Sequence, residues 1–196
     1  ERFNEDALRL LRAMRFTAEL DFHIEKKTWE ALKKHAPNIQ KVSGERVRDE
    51  IMKMVASDNP LRGFLNMMET GMMEATFPEL IEGRGVMQNK HHIYSVLFHN
   101  LLALQYCPSN DALVRFAALF HDVGKPRTKQ GDGIDSTFHA HDIVGSRMVY
   151  RIMKRLRFGN DEIRKVTHLV RFHMFYYSIG EVTDAGVRRM VKRLGV

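Results

Sequence analysis

Apolar residues recur at three- and four-residue intervals along almost the whole chain, glycine and proline stay out of the periodic stretches, and runs of alternating β-branched residues are absent. That pattern predicts an all-α fold without a sheet. Helices are expected over about 4–20, 26–35, 43–56, 60–71, 91–106, 111–123, 142–157, 160–175 and 183–194. Asn4, Ser43 and Asn160 stand where N-caps belong, and Gly71, Gly124 and Gly195 where helices stop. The stretch "IEGRGVMQNKHH", 81–92, joins two glycines to polar residues and marks a boundary, dividing the chain into 1–85 and 86–196. In "FLNMMETGMMEATFPEL" four methionines surround one glycine, a pattern that reads as adaptable core filler between helices.

A chain of 196 residues, 44% hydrophobic and 28% charged, is long enough to bury a sizeable core. No apolar run reaches the roughly 18 residues needed to cross a bilayer, and nothing at the N-terminus reads as a signal peptide, so a cytoplasmic protein with no membrane partner is expected. A single cysteine, Cys107, excludes an internal disulfide and agrees with a reducing compartment. The net charge of +7 favours an anionic partner such as nucleic acid. Two basic groups stand out: Arg151, Lys154, Arg155 and Arg157 in "YRIMKRLRF", and Arg188, Arg189, Lys192 and Arg193 in "GVRRMVKRLG". They are either solvated helix faces or contacts for RNA phosphates. The chain begins at Glu1 without a methionine and is read as a fragment.

Helical phase gathers a second set of residues. His99 lies on the helix "HHIYSVLFHNLLAL", and His121 continues the inward face of Leu113, Phe116, Ala117 and Phe120, with Asp122 beside it. His141 heads the face of Val144, Met148 and Ile152, and His173 continues that of Ile163, Val166 and Val170, whereas His168 lies off it. Asp184 leads the face of Val187, Met190 and Leu194. Singly, each is a core histidine bonded to a backbone carbonyl, or a helix-terminal charge. Together, several imidazoles aimed at one core would repel or stay unsatisfied unless something such as a metal ion sat among them.

The histidine, the His-Asp pair 22 residues on, the later histidines and the distal aspartate resemble the HD superfamily of metal-dependent phosphohydrolases, over roughly 88–196. The resemblance implies His99, His121, Asp122, His141, His173 and Asp184 as metal ligands and Lys125 of "HDVGKP" as a phosphate contact. Mn, Fe, Ni, Zn and Mg all remain candidates. Met174 stands after His173 where some relatives place an acidic residue, so their second His-Asp pair does not carry over.

At the other end, "RFNEDALRLLRAMRF" sets Asp6 and Arg9 three residues apart, able to share a face and pair. A carboxylate accepts from the exocyclic amine of adenine or cytosine and a guanidinium donates to the neighbouring ring acceptor, while guanine and uracil present a carbonyl instead. The alternative is a surface ion pair, with Arg12 and Arg15 simply solvated. "RFNEDALRLLRAMRFTAELDFHI" resembles the neck of bacterial tRNA nucleotidyltransferases and poly(A) polymerases, whose "EDxxR" motif selects the nucleotide. The resemblance implies ATP and CTP contacts at Asp6, Arg9 and Arg12. It also implies neck bracing by Ser43, Glu45, Arg46 and Glu50 of "SGERVRDEI", and RNA binding beyond. It further implies a tRNA or other RNA 3' end as partner, and a catalytic head with magnesium, on the same or a separate chain. That head's Gly-rich loop and aspartate pair are not found in this sequence, so the chain alone is not expected to polymerise. An autonomous HD phosphohydrolase is the alternative reading.

Overall fold

The computed structural model describes residues 2–88, 93–174 and 183–194. Among them the chain is helical, with no strand beyond isolated bridges joining Met87 to Ser95 and Gln130 to Thr137. The first half holds α1 (Arg2–Glu5), α2 (Leu8–Glu19), α3 (Lys26–His35), α4 (Gly44–Ala56), α5 (Pro60–Thr70), α6 (Met72–Thr76) and α7 (Pro78–Ile81), with a 3-10 turn at Ala36–Lys41. The second holds α8 (Val96–Gln105), α9 (Ala112–Phe120), α10 (Lys125–Thr128), a 3-10 turn at Gly133–Asp135, α11 (His141–Arg155), α12 (Asn160–Arg171) and α13 (Asp184–Leu194).

Local chemistry explains where the helix ends depart from expectation. The first predicted helix is broken at Asp6, whose Oδ1 accepts the Leu8 N–H at 3.1 Å and so starts a new helix. Ser43 occupies the N-cap of α4 with extended backbone, though its side chain makes no capping bond. At α12 the cap falls one residue early: Glu162 reaches back to accept the Gly159 N–H at 2.7 Å, and Asn160 is already helical. Ser95 caps α8, accepting the Phe98 N–H. Gly71 ends α5 at φ +80°, a left-handed conformation that suits glycine. Gly195 and the early part of the helix predicted from 91 lie outside the described residues.

One core runs through both halves. α2 packs on α4 and α5, α5 on α8, α4 on α9, α8 on α9, and α9 on α12, which lies along α11. The buried cluster reaches from Leu8 to Val170 and takes in Met54, Met67, Met72 and Met73, so the methionine-rich stretch is core filler as expected. Polar links cross the same seam. Arg115 donates to the carbonyls of Val55 and Ser57, Arg48 to that of Arg157, and Arg155 clamps Glu79 through both terminal nitrogens at 2.6 and 3.0 Å. Gly44 makes room for the Arg155 carbonyl, against which any Cβ would collide.

Candidate functional site

α8, α9, α11 and α12 each deliver a histidine to one place. α9 ends at Phe120, and the turn that follows carries His121 and Asp122; Asp122 is 2% exposed. Its Oδ2 lies 3.2 Å from His99 Nε2, 3.1 Å from His121 Nε2 and 2.7 Å from Lys125 Nζ. Its Oδ1 lies 3.3 Å from His141 Nε2 and 3.4 Å from His173 Nε2. The ligand atoms thus form two groups that share Asp122, one with His99 and His121 and one with His141 and His173, each within 4.8 Å.

Three of the imidazoles are oriented from behind. The Nδ1 atoms of His121, His141 and His173 lie 2.8, 2.7 and 2.7 Å from the carbonyls of Ala118, Phe138 and Val170. A proton on Nδ1 satisfies each carbonyl and leaves the Nε2 lone pair facing inward, the tautomer a metal ligand needs. The paired Nε2 atoms then stand 3.0 Å apart for His99 and His121 and 3.3 Å apart for His141 and His173, and Asp122 Oδ1 has no hydrogen-bond partner. Three inward lone pairs, the His99 Nε2 and a carboxylate so close need positive charge among them, from shared protons or from an ion. Burial opposes ionisation of Asp122, yet the imidazoles of His121, His141, His173 and His99 outweigh it and hold the carboxyl far below its usual range. Burial likewise pulls His173 down, but the negative Asp122 carboxylate beside it and the Val170 carbonyl raise it overall.

The backbone around the cluster is held tightly. Gly124 lies where a Cβ would fall onto the His141 carbonyl oxygen and within 2.6 Å of Gly145 N, so glycine alone lets the start of α11 approach the His-Asp turn. Its φ is −79°, so distance decides here and the expected helix-stop role does not apply. Ala140, just before His141, is left-handed at φ +60°, an unusual conformation for alanine at the edge of a site. A cavity of about 450 Å³ opens over the cluster, rimmed by Thr137, Phe138 and His139.

His173 is in the cluster and His168 is not, as helical phase predicts; the His168 ring lies tilted against Phe172 instead. Asp184 differs from expectation. It is exposed in the first turn of α13 behind Thr183, whose Oγ1 accepts the Gly186 N–H, and it belongs to neither ligand group. A carboxylate there favours the helix N-terminus, and the predicted inward face fails because Val187 is 43% exposed. Lys125 is buried between Asp122 Oδ2 and Gln88 Oε1, at 2.7 and 2.6 Å, so in this structure its ammonium serves the carboxylate. Gln88 was not expected; it lies in the glycine-rich stretch, where no periodicity points to a side chain's direction.

In the neck, Asp6 lines a cleft of about 440 Å³ with Phe3, Asn38, Lys41, Ser43 and Arg46. Arg46 Nη2 grips both Asp6 oxygens at 3.2 and 3.0 Å, the brace expected of "SGERVRDEI". The Leu8 N–H, with Arg46 and the charge of Arg9, outweighs slight desolvation and holds the Asp6 carboxyl below its usual value. Arg9 is exposed and bonds Glu5 at 3.3 Å, and Arg12 is exposed near the Phe16 ring. Arg15 is half-buried against Glu50 and Glu19, not simply solvated. Of the basic groups, Arg151, Arg157, Arg188, Arg189 and Lys192 are exposed, and exposed Lys154 bonds Asn160. Arg155 is committed to Glu79, and the Arg193 side chain lies outside what is described.

Residues 90–193 match the HD domain family, and residues 21–83 match the family described as "Probable RNA and SrmB- binding site of polymerase A". The chain belongs to the HD domain family. With the RNA-binding match ahead of it, its domain order is similar to that of the neck, body and HD region of bacterial tRNA nucleotidyltransferases. It is 36% identical, over 96% of its length and 45% of the relative's, to the A-adding tRNA nucleotidyltransferase of Deinococcus radiodurans. It is 32% identical, over 89% of its length and 43% of the relative's, to the CC-adding tRNA nucleotidyltransferase of Thermus thermophilus. The solved Thermotoga maritima CCA-adding enzyme complexed with tRNA superposes at a TM-score of 0.49 and 22% identity, covering 85% of this chain and 36% of that one. The chain spans about half the length of the curated relatives it matches. Among the described residues no helix is long and apolar enough to cross a membrane.

Proposed function

We propose that the chain supplies base selection and RNA grip to a tRNA nucleotidyltransferase whose catalytic head is a further domain or chain. The observation that carries this is Asp6 at the lip of the neck cleft, fixed by the Leu8 N–H and Arg46. Its Oδ1 takes two of those bonds and its Oδ2 one, which leaves Oδ2 able to accept an exocyclic amine of ATP or CTP. Arg9, one turn on and exposed, is the donor to the ring nitrogen beside that amine, and Arg12 continues the same basic edge. Arg151, Lys154, Arg157, Arg188, Arg189 and Lys192, with Arg193, contact tRNA phosphates in a salt-sensitive, sequence-independent way. Arg155 contributes through Glu79 to the frame and not to RNA. The division near residue 86 is one of task, neck and RNA contacts before it and the HD site after it.

Joined to its head, the Asp6→Ala or Arg9→Ala chain should lose preference for A and C when each nucleotide's incorporation into tRNA is measured. Unchanged selectivity would refute the assignment.

The convergence of four Nε2 atoms on Asp122 supports a second activity, a metal-dependent phosphohydrolase. The donor set fits divalent cations: His141 and His173 with Asp122 would hold one, and His99 and His121 with the same Asp122 a second. So imidazole-rich a set suits Fe, Ni or Zn better than Mg. A divalent ion supplies an activated water and a Lewis acid for phosphorus. The backbone carbonyls behind His121, His141 and His173 fix the ring tautomers, and the cavity above admits a phosphate ester between Thr137 and His139. Metal analysis of the purified chain and assay with bis(p-nitrophenyl) phosphate test this; no bound metal and no turnover with added Mn, Ni or Mg would leave the HD region as scaffold.

A further inference from the structure

We propose that Lys125 is a built-in cation on one oxygen of Asp122 and that Gln88 is the residue onto which it withdraws, so that the two halves of the ligand cluster take up metal in a set order. The inference rests on the metal-site reading above.

Asp122 is asymmetrically served. Oδ2, shared with His99 and His121, already holds the Lys125 ammonium at 2.7 Å, whereas Oδ1, shared with His141 and His173, has no hydrogen-bond partner. The ammonium is well placed to stay: Lys125 is 8% exposed, opens α10, and its backbone N–H donates to the Asp122 carbonyl at 3.0 Å. An ion arriving beside His99 and His121 therefore meets a fixed positive charge on the oxygen it needs. An ion arriving beside His141 and His173 finds its oxygen open. Like charges this close in a poorly screened interior cost enough to separate the two affinities by about tenfold or more.

A buried ammonium cannot simply be abandoned, because a charge stripped of its partners in the interior is strongly disfavoured. Gln88 removes that obstacle. Its Oε1 accepts from Lys125 Nζ at 2.6 Å, and its own Nε2 donates to the Tyr94 carbonyl at 3.4 Å. Gln88 is 4% exposed, so this acceptor is held in place. Lys125 can release Oδ2 and keep Gln88. Gln88 is then a positioning residue that touches no ion itself, and the His141–His173 half loads first.

Titration of the whole chain with Ni2+, followed by calorimetry and equilibrium dialysis, tests this. The wild type should bind two ions, the second about tenfold or more weaker. His173→Ala should remove the tighter event and His99→Ala the weaker. Lys125→Met should strengthen the second event and narrow the gap, whereas Gln88→Leu, leaving the ammonium only Asp122, should weaken the second event and spare the first. Because the two variants push in opposite directions, general loosening of the site cannot mimic the pair. Two equal affinities in the wild type, or a second event that neither variant moves, would overturn the inference while leaving the metal site standing. No binding of Ni2+ at all would overturn the metal site and the inference together.

Discussion

Gly124 shows how a single hydrogen in place of a methyl can decide a site. The carbonyl of His141 and the amide of Gly145 lie where its Cβ would go, and both are backbone atoms that no rotamer change can move. Gly124→Ala must therefore push α11 away from the His-Asp turn and carry His141 with it. The expected cost is about 2–3 kcal/mol of stability, as for overpacking in a close-packed interior, read as a lower midpoint in urea unfolding with metal uptake weakened in parallel. Gly71→Ala is the useful contrast: nothing lies within 4 Å of its Cβ, so only the left-handed backbone at φ +80° resists the change, at about 1 kcal/mol. At this scale the sequence was legible where periodicity could speak. His173 was separable from His168 because only one of them continues the face of Ile163, Val166 and Val170. Asp184 was misplaced because a helix-leading carboxylate looks the same in sequence whether it turns to a site or to the dipole of its own helix. Gln88 gave no signal, since it lies in irregular chain where neighbours do not fix direction.

The elements of the neck are joined by charges as well as by apolar faces. Arg15 on α2 donates through Nε to Glu50 on α4 at 2.7 Å, with Glu50 only 6% exposed, and this pair ties the helix that follows the EDxxR turn to the helix that bears Arg46. Removing Arg15 leaves the buried Glu50 carboxylate only exposed Lys53, at 3.5 Å: Arg15→Met is expected to destabilise by about 2 kcal/mol, while the double change Arg15→Met, Glu50→Met restores most of it. Thermal unfolding of the three variants measures the difference, and a double variant as unstable as the single would refute the pairing's role. The break between α1 and α2 could not be read from spacing, because the apolar rhythm runs straight through it. Asp6 interrupts the helix by taking the Leu8 N–H, a competition between side chain and backbone that leaves the pattern of buried positions intact.

Across the whole molecule, the glycine-rich stretch at 81–92 reads in the sequence as a natural seam, and one family match ends and the other begins within it. The packing does not part there. α4 rests on α9 and α5 on α8, and Leu97 donates to the Gly83 carbonyl at 3.2 Å, so the seam is stitched from both directions. Periodicity marks which face of a helix is buried but not which neighbour covers it, which is why the boundary looked cleaner than it is. A continuous core of this kind predicts one cooperative transition. Trp29, the only tryptophan, reports on α3 in the first half, and far-ultraviolet dichroism reports on helices throughout. Their melting curves should coincide; an earlier Trp29 transition would show two units.

That shared interior limits how the chain can be reused. A segment cut at residue 86 would bare the faces of α4 and α5 that now rest on α9 and α8, leaving contiguous apolar surface of the sort that drives aggregation. The two portions are thus not interchangeable parts, and a recombinant that exchanges one for a foreign counterpart must bring a matching α8 and α9 with it or remake the join residue by residue.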